Sequence, residues 1–506
     1  MTMASPPEED LPSSIRIISL NCWGLKFISK FRHERLLEIG HQLATASPQP
    51  QIVGLQECWT QQDFLAIRSL TQHILPYSKF YWSGIFGGGL AILSAWPIEE
   101  SFMFRYSLNG RPQAFWRGDW YVGKGVACAR IRFGKGEKEV IEVFTTHLHA
   151  PYEKEPNDSY ICHRTAQAWE CAKLMRHARE RGHVVVGLGD FNMVPGSLAH
   201  RLVEGHGGVR DVWRVKWPES LEGSAEIVFA GGLNGGRKVP SARECLDEHG
   251  ATCDSKFNTW RWSEQMRKYL HRGREVKETD PEEEDLKAKR LDYIFFADNA
   301  AQAGYGWEIQ DVEVGMRMRH PTLKCSLSDH FSIETTLVRK QQQSTTTATA
   351  TKSTPLVKHL PPATYALIQD MVASYDLRER KQRKWRIAHF FASFSISIGC
   401  LIAVWWSPRN YVAFLLMLFS TLGLSTGVID GLMGFLFVGS ELRALREFKY
   451  EIDLAAEQAR ERKETSPTRD SDVVGGMRTE SSAQLLESEV TDREEIQKET
   501  GVERRR

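Results

Sequence analysis

Asp190 and Asn192 stand two residues apart in Gly189-Asp190-Phe191-Asn192, directly after the apolar run Val184-Val185-Val186-Gly187-Leu188. The run reads as a buried strand. On an extended backbone residues i and i+2 point the same way, so a carboxylate and a carboxamide share the C-terminal end of a core strand. That is where α/β folds gather their chemistry. Alone, an Asp-x-Asn in such a place is more often a turn closed by side-chain to backbone bonds. Further polar groups at the edges of apolar runs shift the balance: Asn21, Glu57, His147, Asp292, Asp329 and His330.

Hydrolysis of a phosphodiester needs this inventory. A hard carboxylate such as Glu57 suits Mg²⁺, which keeps most of its waters and binds through one or two carboxylates plus the phosphate. A histidine of near-neutral pKa takes a proton from water. A carboxylate behind that histidine fixes its tautomer and steadies the imidazolium. Amide and imidazole donors hold the charge that builds on a pentacoordinate phosphorus. No cysteine or serine stands out as a covalent nucleophile.

The elements that must position these groups follow from periodicity. Strands are expected at 15–20, ending at Asn21-Cys22-Trp23-Gly24, and at 51–55, ending at Gln56-Glu57. Others are expected at 90–94, 126–133, 140–146, 184–188, 291–296 and 331–337, the pair 126–133 and 140–146 forming a hairpin. Helices are expected at 32–43, 61–74 and 164–181, the last stopped by Gly182. The stretch 213–289 reads as surface loops with a short helix.

The formal net charge of +1 sets up no global basic field, so no nucleic-acid partner is expected. The nine cysteines are scattered without CxxC pairs and read as free thiols. Residues 1–14 are polar and acidic, read as disordered and not as a signal peptide. Residues 339–362, rich in Gln, Thr, Ser and Pro, read as a flexible linker. Residues 363–386 combine an apolar helical stripe with the basic cluster Arg378, Arg380, Lys381, Arg383, Lys384 and Arg386. Two long apolar runs follow, 387–406 and 411–438, broken by Ser407-Pro408-Arg409-Asn410. Both are apolar all round and long enough to span a bilayer, so 387–438 reads as a transmembrane hairpin. Lys and Arg flank its outer ends, which places both termini in the cytosol. Asp430 is either an interfacial cap or an intramembrane functional group. Residues 439–506 are charged and read as a largely disordered tail.

Asn21, Gln56-Glu57, Thr146-His147-Leu148-His149-Ala150, Gly189-Asp190-Phe191-Asn192, Arg290-Leu291-Asp292-Tyr293 and Ser328-Asp329-His330 resemble, in order, the motifs of the endonuclease/exonuclease/phosphatase superfamily. Trp23-Gly24-Leu25, Asn109-Gly110-Arg111-Pro112, the stretch Arg117 to Lys124 and Cys162-His163-Arg164…Gln167-Ala168-Trp169 are similar to its neutral sphingomyelinase branch, and to the fungal inositol phosphosphingolipid phospholipases C within it.

The resemblance implies an α/β, four-layer DNase I-like β-sandwich with flanking helices over 15–338, followed by the two-helix transmembrane hairpin. It implies Glu57 as the Mg²⁺ ligand, with Asn21 and Asp329 beside the metal. His330 becomes the general base, paired with Asp292, while Asp190 orients the attacking water and Asn192 and His147 bind phosphoryl oxygens. The role of His149 is left open, and His163 reads as structural. Asp119 and Lys124 become a lipid-dependent switch loop at the head group. The activity implied is an Mg²⁺-dependent phospholipase C that converts phosphosphingolipids, inositol phosphosphingolipids first and sphingomyelin second, into ceramide and a phosphorylated head group.

The basic cluster is expected to bind an activating anionic phospholipid such as phosphatidylserine, phosphatidylglycerol or cardiolipin. The membrane is expected to be that of the endoplasmic reticulum or, second, the mitochondrion. A nuclease, an inositol-polyphosphate phosphatase of the same fold and a non-enzymatic membrane scaffold are the alternatives.

Overall fold

The structure is a computed structural model describing residues 11–153, 157–223, 226, 238–274, 276, 278–341 and 360–465. Most of the expected disordered N-terminus, most of the linker and the tail beyond 465 lie outside the described residues.

The strands pair into two six-stranded sheets. The first sheet has the order β11-β12-β1-β2-β4-β3. Its strands are β1 (Ser14–Asn21), β2 (Ile52–Gln56), β3 (Tyr77–Tyr81), β4 (Leu90–Ser94), β11 (Tyr305–Gly315) and β12 (Ser332–Gln341). The second has the order β5-β6-β7-β8-β10-β9. It is built from β5 (Ile98–Arg105), β6 (Gly125–Arg132), β7 (Val140–His147), β8 (Val184–Asp190), β9 (Arg210–Asp211) and β10 (Asp292–Ala297). β1 and β2 are parallel, as are β7 and β8, and the remaining pairs are antiparallel.

Side-chain alternation explains the layers. Ile15, Ile17, Ile52 and Ile92 of the first sheet pack with Ile141, Val143, Val186, Leu188 and Ile294 of the second in one buried cluster. The opposite rows face helices. Ile18, Leu20, Val53 and Leu55 meet α1 (Arg32–Thr45) and α2 (Gln61–Thr71) through Leu36, Ile39, Leu43, Phe64 and Ile67. Phe144, Val185 and Phe295 meet α3 (Ile161–Glu180) and α4 (Leu198–Gly207) through Cys171, Met175, Ala199 and Val203. The result is the four-layer sandwich with outer helices. Gly54 lets the sheets approach, since a Cβ there would run into the Leu188 side chain.

Four strands, the half-exposed β3, β5 and β11 and the two-residue β9, are not among those expected from the sequence. Within 213–289 there are several short helices, among them α5 (Val212–Lys216), Ala242–Asp247 and Glu264–His271, where one was expected.

Three helices close the described chain: Pro362–Ala403, Asn410–Leu432 and Val438–Thr465. The first two carry apolar windows long enough to cross a membrane, and only 11% of each window is buried, so neither is a core helix. Gly427 and Gly431, one turn apart, let the second helix meet Ser393 and Phe390 of the first, where Cβ atoms would not fit. The Ser397 and Ser420 hydroxyls bond at 2.6 Å across the same seam. The third helix corrects the expectation of disorder from 439. Its Leu442, Leu445, Phe448 and Ile452 recur at helical spacing and are buried, and charge counting hid that stripe.

Candidate active site

The inner rows of five strands end in polar groups at one end of the sandwich. Ile15, Ile17 and Ser19 lead to Asn21, and Ile52 and Gly54 to Gln56 and then Glu57. By the same alternation, Ile141, Val143 and Thr145 lead to His147, and Val184, Val186 and Leu188 to Asp190. Asp292 opens β10, opposite Asp190 in register. Just past the strand ends, Trp23, Glu57 and Asn192 hold left-handed backbone (φ 48°, 53° and 45°). Non-glycine residues are held so only where the surroundings over-determine them, which is common at functional sites.

His330 Nδ1 lies 2.7 Å from Asp292 Oδ2, and its Nε2 faces Asp190 Oδ2 at 4.0 Å. Against the downward pull of burial, Asp292 and Cys253 hold the His330 pKa well above that of a free imidazole. Asp292 also accepts the Thr252 hydroxyl. Asn21 Nδ2 donates to Asp190 Oδ2 at 3.0 Å and to Glu57 Oε1 at 3.4 Å, which joins the ends of the two sheets. Asn192 donates its backbone N–H to Asp190 Oδ1 (2.9 Å) and its amide to Leu148 O (3.1 Å). His147 Nε2 sits 3.5 Å from Asp190 Oδ2 and 3.9 Å from Glu57 Oε1. Burial and the neighbouring Lys124 and His330 charges push its pKa down, so this ring is neutral.

Burial, then the Asp329 charge, raises the Glu57 pKa; burial, then Asp292, raises that of Asp190. Asp329 is raised by burial as well. Carboxylates crowded in this way call for a cation. Glu57 Oε2 is buried and has no hydrogen-bond partner among the described residues, so the donor set fits a hard divalent ion at Glu57. Asp190, Asp292 and His330 also offer ligand atoms within 4.8 Å of one another, but the Asp292–His330 bond already uses two of them.

Asp119 and Lys124 lie beside this site without bonding to each other. Lys124 Nζ is buried and donates to Leu148 O at 3.0 Å. Asp119 accepts the Tyr152 hydroxyl (2.6 Å) and lies 3.4 Å from His149 Nδ1. His149 Nε2 accepts the Gly110 N–H at 2.8 Å, which leaves the ring proton on Nδ1, facing Asp119. His149 therefore ties down the 109–124 loop. Gln167 and Arg164 of α3 bond the His149 backbone, which accounts for their place in a recognisable motif. His163 is buried 3.3 Å from Glu441.

The basic cluster expected to bind anionic lipid also makes contacts within the protein. Arg378 donates to Ser159 O, Arg383 to Gly434 O, and Arg386 bonds both Gln113 and Asp430. Arg380 pairs with Asp376 one turn away. Lys381 and Lys384 are left exposed. Charges that count as a cluster in sequence point around a helix, and here half of them face protein. Asp430 lies between Arg386 and His389, so it is a paired group within the hairpin.

Thr252, which holds Asp292, and Arg35, whose buried guanidinium bonds Cys22 O, Trp23 O and Leu327 O, were not singled out from sequence. Thr252 lies in a polar stretch with no periodicity; Arg35 lies on a helix face that looked ordinary.

The model of the Endonuclease/Exonuclease/phosphatase family matches residues 18–330. The chain is 38% identical over 442 residues to Inositol phosphosphingolipids phospholipase C of Schizosaccharomyces pombe, covering 87% of this chain and 93% of that one. It is 32% identical over 468 residues to the Saccharomyces cerevisiae protein of the same name, covering 87% and 89%. Among solved structures, Sphingomyelinase C from Streptomyces griseocarneus matches 65% of this chain and 99% of its own at 16% identity and a TM-score of 0.40. With the motif residues gathered at one end of the sandwich and relatives this similar along most of its length, the chain belongs to the inositol phosphosphingolipid phospholipase C family of the endonuclease/exonuclease/phosphatase superfamily, and is a phosphodiester hydrolase.

Proposed function

We propose that the protein is a membrane-anchored, Mg²⁺-dependent phospholipase C that cleaves phosphosphingolipids, inositol phosphosphingolipids first, into ceramide and a phosphorylated head group. The observation that carries the reading is the His330–Asp292 pair aimed at Asp190, beside a Glu57 carboxylate whose Oε2 has no hydrogen-bond partner among the described residues. The names of the two yeast relatives support the substrate class. Glu57, with Asn21 and Asp329 near it, would hold Mg²⁺, which when bound supplies Lewis acidity toward the phosphate.

The chain's own groups do the rest. His330 Nε2 takes the proton of a water that Asp190 orients, and Asp292 stabilises the imidazolium so formed. Asn192 and the neutral His147 donate to phosphoryl oxygens as negative charge builds there. The ceramide oxygen leaves opposite the water. The two apolar helices support a hairpin anchor, with both chain termini on the cytosolic side by the distribution of Lys and Arg.

The purified full chain, given phosphosphingolipid, single-stranded DNA and inositol polyphosphate in parallel, is expected to release ceramide only. Nucleotide or inorganic phosphate as the main product would favour the nuclease or the phosphatase reading.

The pH profile should report the His330–Asp292 pair. His330 accepts a proton only when neutral, so kcat/KM rises with pH through its pKa. Asp292→Asn removes the charge that holds this pKa up. The ascending limb is expected to move to lower pH while the plateau falls. A limb that stays in place would mean that another group titrates.

A further inference from the structure

The loop between β3 and β4, Trp82-Ser83-Gly84-Ile85-Phe86-Gly87-Gly88, carries large apolar side chains outward. Ile85 is 76% exposed, Phe86 60% and Trp82 65%. The loop is nevertheless well held. The Ile85 and Phe86 N–H groups donate to Tyr121 O at 3.2 and 3.3 Å, and Gly123 N–H donates to Gly87 O at 3.3 Å. Gly84 (φ 52°) and Gly123 pack backbone against backbone, where a side chain on either would clash. At its other end Gly89 O accepts the Cys58 N–H at 3.0 Å, next to Glu57.

Its neighbours reach the ends of the apolar helices. In the adjoining loop the Trp120 ring lies 4.6 Å from that of Phe437, where the second apolar run ends. The short 3₁₀ turn Pro112–Arg117 meets the start of the first run through Gln113 and Arg386. At that level Trp116 is 70% exposed and Trp385 72%. Tryptophan is favoured where a bilayer's hydrocarbon meets its head groups. The exposed Lys381 and Lys384 suit an anionic surface on the same helix.

The geometry points to the 82–88 loop as a membrane-contacting finger: Ile85 and Phe86 enter the head-group boundary of the bilayer beside the hairpin, and the loop forms an apolar path from the lipid to Glu57. The occupant is a lipid surface, because the apolar tips continue from segments that themselves have the character of membrane spans. The inference deepens the phospholipase reading and rests on the hairpin spanning the bilayer. The substrate's hydrocarbon chains would stay against the loop while its phosphodiester reaches the strand ends.

An environment-sensitive fluorescent amino acid placed at Phe86, and separately at Trp405 in the hairpin turn, tests both readings in the full chain reconstituted in phosphatidylcholine vesicles. Some of the lipid carries a nitroxide high on its acyl chain. Emission from both positions is expected to shift to the blue and to be quenched. Quenching at Trp405 without quenching at Phe86 would overturn the finger and leave the anchor standing. No quenching at either would overturn the finger and the spanning hairpin together. Independently, Ile85→Ser with Phe86→Ser is expected to lower turnover of vesicle-borne phosphosphingolipid by about tenfold or more, since two apolar anchors are lost. Unchanged turnover would overturn the finger.

Discussion

His330→Ala should lose about 10²- to 10⁴-fold in kcat, the range for removal of a positioned general base. Asp292→Ala should fall by a comparable factor, because the 2.7 Å bond from His330 Nδ1 to Asp292 sets which ring nitrogen faces the site. The two residues act as a unit, so the double variant should be little worse than His330→Ala. Losses that simply multiply would show two independent roles. Thr252 gives an internal control. Its hydroxyl donates to the same Asp292 oxygen that His330 Nδ1 faces, so Thr252→Val should weaken the pair without abolishing it.

Glu57→Gln should lose about 3 kcal/mol of transition-state stabilisation, on the order of 10²-fold in rate. The Glu57 Oε2 is buried without a hydrogen-bond partner among the described residues, and the neutral amide is a poor ligand for a hard cation. EDTA should abolish turnover by the parent protein and Mg²⁺ should restore it. Thermal unfolding supplies a readout that does not depend on turnover. Mg²⁺ should raise the Tm of the parent through mass action on the folded state, and should do so far less for Glu57→Gln. Equal Mg²⁺ shifts in both proteins would place the ion elsewhere, with the Asp190 and Asp292 carboxylates the next candidates.

The strand-end groups were legible because their strands are buried on both faces. Runs such as Val184-Val185-Val186 stand out, and the polar residue that ends each run stands out against it. β5, none of whose residues is fully buried, shows no such run, and neither does β11. The placement of Asn21, His147 and Asp190 on one inner row follows from period-two alternation. Their convergence needs the pairing of β1 with β2 and of β7 with β8, which no local pattern encodes. The same limit explains Asp119 and Lys124. Their spacing marked a loop, but their partners, Tyr152 and Leu148 O, come from across the fold. The third C-terminal helix was obscured because its buried stripe of Leu442, Leu445, Phe448 and Ile452 is diluted by charges on the opposite face. The protein contacts of the basic cluster are hidden in sequence for a related reason. Sequence counts Arg378, Arg383 and Arg386 as cations near a membrane, whereas in the fold Arg378 and Arg386 also tie their helix to the catalytic domain and Arg383 ties it to the second apolar run.

Water attack on phosphorus, with the ceramide oxygen leaving, is the central claim. Hydrolysis of an inositol phosphosphingolipid in ¹⁸O-labelled water, followed by mass analysis of both products, tests it most directly. The label is expected in the phosphoinositol, with none in the ceramide. Label in the ceramide would mean cleavage of the carbon–oxygen bond, and would contradict a mechanism in which His330 delivers water to the phosphate.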